Sequence, residues 1–132
     1  MTTIYTDTNR GGEVPRDETA LLIASDKVEG TAVYGPDGDK IGRIENVMID
    51  KLTGRVAYAV LTFGGFLGMG NDYYPLPWAM LKYDESLGGY IVNLTRDQLE
   101  SAPKYRESDT WDWSDRRELG QIDEHYKPFA FI

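Results

Sequence analysis

The chain has 132 residues, 41% of them apolar and 12% aromatic, which suits one folded domain with tails rather than wholesale disorder. It lacks cysteine and has a single histidine, His125, so disulfides, thiolate zinc sites, iron–sulfur clusters and histidine-rich metal sites are excluded. The net charge of −8 is spread along the chain with no basic patch, so direct binding to a nucleic-acid backbone is not expected and the acidic surface serves solubility.

Residues 1–20 are polar, carry Gly11, Gly12 and Pro15, and read as a lead-in. They have neither the basic start nor the apolar core of a secretory signal. Order is expected from residue 21. Residues 31–34 predict a strand, and Gly-Pro-Asp-Gly-Asp at 35–39 a tight turn. Asp37 and Asp39 suggest the start of a calcium loop, but Ile41 and Met48 fall where that loop needs an oxygen ligand and a glutamate, so the turn reading stands.

Residues 40–50 and 55–63 predict two long strands joined by a hairpin at 51–54. The first does not alternate cleanly, because Ile41 and Ile44 have opposite parity; Gly42 is the expected bulge that re-phases it. The second is apolar on both faces. Val56, Tyr58, Val60 and Thr62 form one face, and Ala57, Ala59, Leu61 and Phe63 the other. Something must cover its second face.

The glycine-rich stretch 64–70 lacks the Gly-Lys-Ser/Thr of a phosphate loop and is followed by no helix start, which also excludes the dinucleotide fingerprint. It reads as a wide loop with Phe66, Leu67 and Met69 at its tip, an exposed apolar contact point. The uncharged run from 56 to 70 contains four glycines and falls short of the ~20 apolar residues of a membrane helix. Short strands follow at 73–78, 81–83 and 90–94, with Trp78 plugging one end of the domain. Thr95 and Gln98 have capping-box spacing and predict a helix over 96–101 that Pro103 ends. Trp111 and Trp113 lie in a tail beyond it, placed either to fold back over the strands or to anchor a partner; folding back is the favoured reading, because strand 55–63 needs a cover. Ser114 is the expected cap of a second helix at about 114–126, with Leu119, Ile122 and Tyr126 on one face and Gly120 weakening it. His125, between acidic neighbours and Tyr126, reads as a solvated helical histidine and not a catalytic one.

Closely spaced, turn-punctuated strands predict a mainly β domain, a small closed antiparallel barrel with short C-terminal helices. The division is a lead-in at 1–20, the barrel at 21–105 and a tail at 106–132. The order of Thr31-Ala-Val-Tyr-Gly, Ile41-Gly-Arg-Ile44, Val47-Met-Ile-Asp50, Gly54-Arg-Val-Ala-Tyr-Ala-Val, the glycine loop, Pro75-Leu-Pro-Trp78 and Thr95-Arg-Asp-Gln-Leu99 resembles the PRC-barrel family across about 21–105. That family includes the cytoplasmic domain of the photosynthetic reaction centre H subunit and the C-terminal domain of the ribosome maturation factor.

The resemblance implies a small barrel used for protein contact and assembly. No membrane helix precedes the barrel as in the first relative, and only the polar lead-in stands where the second has an RNA-related domain. No functional residue of either maps onto a position here.

The resulting expectation is a cytoplasmic, non-enzymatic interaction module with no cofactor, a protein partner, and a C2 homodimer as one way to use its surface. The expected interaction residues are Tyr58, Val60, Phe66, Leu67, Met69, Trp111 and Trp113. Two rival readings are a ribosome or RNA-processing assembly factor that binds a basic ribosomal protein, and a barrel that holds a small ligand. An accessory role in a redox complex rests on the family name alone.

Overall fold

A computed structural model describes residues 18–63, 72–106 and 111–129. Most of the polar lead-in, and the loop tip with Phe66, Leu67 and Met69, lie outside the described residues.

A four-residue helix α1 (Ser25–Val28) precedes strand β1 (Ala32–Tyr34). The Gly-Pro-Asp-Gly-Asp turn follows, closed by Gly35 N donating to Asp39 O at 2.9 Å. Strand β2 (Lys40–Ile49) and strand β3 (Val56–Thr62) form the expected hairpin. Its turn is built by the Asp50 carboxylate, which accepts from Leu52 N and Thr53 N, and by Gly54 at φ 79°, a conformation that favours glycine.

Strand β4 (Asp72–Pro77) runs into a 3-10 turn (Trp78–Met80), then β5 (Leu81–Asp84) and β6 (Gly89–Val92). Helix α2 (Arg96–Glu100) starts at the predicted capping box: Thr95 Oγ1 accepts from Gln98 N at 3.2 Å and Gln98 Oε1 from Thr95 N at 2.9 Å. Strand β7 (Tyr105–Arg106), helix α3 (Arg116–Tyr126) and a final 3-10 turn (Lys127–Phe129) complete the order. Asp115, not Ser114, caps α3 by accepting from Arg117 N at 2.9 Å. The Ser114 hydroxyl is instead engaged with the Asp112 carboxylate.

The strands form one seven-stranded sheet in the order β5-β6-β1-β2-β3-β4-β7. Two points of the expected architecture are corrected. The hydrogen bonds do not close the sheet into a barrel, and the pairing is not wholly antiparallel, because β1 and β6 run parallel. The sheet is nonetheless rolled. A flat sheet would put β4 and β5 about 24 Å apart at ~4.8 Å per strand. The link between them is only the Trp78–Met80 turn, and a stretch of that size spans at most about 14 Å. The chain itself bridges the gap, and Trp78 packs edge-on against Tyr90 of β6, with ring centroids 5.2 Å apart.

Re-phasing of β2 happens twice, not once. Val33 pairs with Gly42 and Tyr34 with Lys40, leaving Ile41 as the extra residue. Leu61 pairs with Ile44 and Val60 with Asn46, leaving Glu45 extra. Two bulges turn the two-residue pleat into a three-residue repeat, so Ile41, Ile44 and Val47 all reach the core. Gly42 is needed for a different reason than expected: a Cβ there would stand 2.5 Å from Thr62 O. The interior is filled by side chains, among them Val33, Ile44, Leu61, Leu76, Val92 and Leu94, all fully buried. Helix α3 lies against β4 and adds Ile122 and Tyr126 to the same core.

Candidate functional site

The second face of β3 is the feature to follow. Register places Tyr58 opposite Pro77, Val60 opposite Pro75 and Thr62 opposite Tyr73, so these six share one side of the β3–β4 ribbon. Val60 is 0% exposed, yet it stands outside the cluster that fills the inner side. Its cover comes from the chain's own tail. Tyr73 meets Tyr105 of β7 at 5.3 Å between centroids, Tyr105 stacks on Trp111 at 4.8 Å, Trp111 meets Trp113 edge-on at 5.7 Å, and Trp113 returns to Tyr58 at 5.5 Å. These five rings form a belt that leaves β4, crosses the tail and ends on β3.

Helix α3 fastens the belt. Tyr58 OH donates to Asp123 Oδ1 at 3.1 Å. Burial, followed by the neighbouring Asp123 charge and that bond, pushes the Tyr58 phenol up to about 12. Burial also raises Tyr105, assisted by Tyr73 and Glu45. Leu119, Ile122 and Tyr126 pack inward from one face of α3, as their spacing predicts.

The sequence-predicted residues therefore separate into three groups. Tyr58, Trp111 and Trp113 come together in the belt and stay half-buried. Val60 is sealed and presents nothing to a partner while the tail is seated. Phe66, Leu67 and Met69 fall outside the described residues.

Tyr105 and Tyr73 belong to the belt and were missed. Their signal was available in principle as aromatics flanking Trp111 and β3, but it required the β4–β7 pairing. A second surface was also missed. Leu21 and Leu22 are 71% and 59% exposed beside Tyr83, whose OH donates to Glu18 at 2.6 Å. They line a cleft of about 230 Å³ against β5 and β6. Leu52, at the tip of the β2–β3 hairpin, is 96% exposed.

Groups that suggest chemistry sit in structural roles. His125 packs against Tyr126 and Phe129. The Asp37 carboxylate accepts from Asp39 N within its turn. Among the described residues, no group of three or more acidic or histidine side chains is placed to hold a metal, and no helix is long and apolar enough to cross a membrane. An open cleft of about 530 Å³ is lined by Gly35, Pro36, Asp37, Lys40 and Arg96 among others, with charges of both signs.

The profile of the PRC-barrel domain matches residues 22–99. An uncharacterized protein of Deinococcus radiodurans is 34% identical over 77 residues, which are 58% of this chain and 27% of that protein. The chain thus spans about a quarter of the length of this relative. The profile covers strands β1 to β6. The profile stops short of β7, Trp111, Trp113 and α3.

Proposed function

Because this chain belongs to the PRC-barrel family, we propose that it is a non-enzymatic protein-contact module of the cytoplasm, with its contact surface on the aromatic belt over β3. One observation carries this reading: Tyr58, Tyr105, Trp111 and Trp113 are linked ring to ring and remain partly exposed. Tyrosine and tryptophan that keep part of their surface open are the residue types that dominate protein interfaces. Met48 lies opposite Tyr58 in the register and widens the patch, and Leu52 extends apolar ground at the tip of the same hairpin. An interior packed with side chains supports contact rather than ligand enclosure.

The test is purification of the tagged chain from extract beside its Trp113→Ala variant. A protein that follows the native chain and is lost from the variant supports the reading. Identical recoveries from both place the contact elsewhere and sink it. Light scattering of the pure chain over a concentration series reads whether a second copy is the partner.

A further inference from the structure

The tail is seated over apolar ground, yet its seam is poor in polar pairing. Four buried side-chain atoms lack a hydrogen-bond partner among the described residues: Thr62 Oγ1, Trp111 Nε1, Glu118 Oε2 and Tyr126 OH. Three belong to the tail, and the fourth is on the β3 face that carries Tyr58 and Val60. A buried donor or acceptor without a partner loses its water and gains nothing in return, so each opposes the seated state.

Few bonds compensate. Two hydrogen bonds join residues 111–129 to the other described residues: Tyr58 OH to Asp123 Oδ1 at 3.1 Å, and Asn93 Nδ2 to Phe129 O at 3.5 Å. The described ion pair within the tail, Arg117 with Asp115, is internal to it. Helix α3 also carries Gly120 in its middle, which weakens it. What holds the tail down is the burial of Ile122, Tyr126 and the indole rings. The sheet beneath is bound differently, by continuous backbone ladders from β5 to β7.

We infer that residues 111–129 form a detachable strap, which lifts as one unit while the sheet stays folded and so uncovers Val60, Thr62 and Pro75. Segments with few cross-links open sub-globally below the free energy of complete unfolding. Lifting would rehydrate the unpaired atoms, bare the Val60 face and withdraw Ile122 and Tyr126 from the core they share with the sheet. This goes beyond the protein-contact reading and does not depend on it, because its test needs no partner.

The test uses the full chain with Trp78→Phe, which leaves Trp111 and Trp113 as its only tryptophans. Indole emission then reports the tail, and the amide NMR signals of β2 and β3 report the sheet. In a urea titration the emission midpoint is expected at lower urea than the midpoint of those sheet amides; coincident midpoints overturn the inference. Adding Tyr126→Phe or Thr62→Val, which removes an unpaired atom, is expected to raise the emission midpoint and leave the other in place. Equal movement of both midpoints counts against a separate strap. If Trp78→Phe does not fold, hydrogen exchange on the native chain serves instead. Amides of α3 should show about 100-fold less protection than those of β3, and equal protection refutes the strap.

Discussion

Replacing Gly120 by alanine gives a stabilisation whose sign and size follow from the structure. Gly120 lies inside α3, is exposed, and a Cβ built there meets nothing within 4 Å. No steric term therefore opposes the gain in helix propensity, which is about 0.8–1.0 kcal/mol for glycine to alanine in a helix interior. That is about a fivefold shift in the equilibrium that forms α3. If the tail opens before the sheet, the gain appears in the tail transition, read by the emission of Trp111 and Trp113 in urea. If the two open together, it appears as a rise in melting temperature of about 3–5 °C. An unchanged or lowered midpoint in both measurements would refute the reasoning, because it would mean that residue 120 is not helical in the folded chain.

Gly42→Ala should act in the opposite direction: its Cβ would stand 2.5 Å from Thr62 O, a backbone atom that no rotamer change can move. A loss of about 3 kcal/mol, the upper end for overpacking, is expected from the urea midpoint. Asp115→Ala should cost about 1 kcal/mol of tail stability, as cap removal typically does, and Ser114→Ala clearly less, because it is Asp115 that accepts from Arg117 N; the tail emission midpoint separates them. Tyr58→Phe should flatten the alkaline limb of stability. The folded phenol is raised from 10.0 to about 12, so its contribution is complete below the unfolded value and fades as pH rises through the folded one. Circular dichroism in urea between about pH 9 and pH 12 reads this as a smaller loss in the variant.

Legibility varied with the range of the interaction concerned. Local signals read well. The Thr95–Gln98 capping box, the Asp50–Gly54 hairpin turn and the inward face of Leu119, Ile122 and Tyr126 all depend on neighbours within a few residues. The α3 cap was misplaced by one residue, since Ser114 and Asp115 are both good caps and only the competing Asp112 decides between them. The parallel β1–β6 pair was invisible because it joins residues far apart in the chain. The doubled bulge in β2 was half seen: opposite parity at Ile41 and Ile44 showed one re-phasing, but the second depends on what faces Glu45 across the hairpin. For the site, two-faced apolarity at 55–63 and the two tryptophans indicated that a cover was needed. Which rings touch, and that Tyr105 bridges Tyr73 to Trp111, requires the β4–β7 register.

The placement of the cover after the sheet in chain order has a consequence for synthesis. Every strand through β7 leaves the ribosome before Trp111 does. At ~5–20 residues per second, the nascent sheet stands with Val60, Thr62 and Pro75 bare for a second or more while the tail is being added. Covering of this face is therefore the later event, and it waits on residues that follow the sheet in the chain.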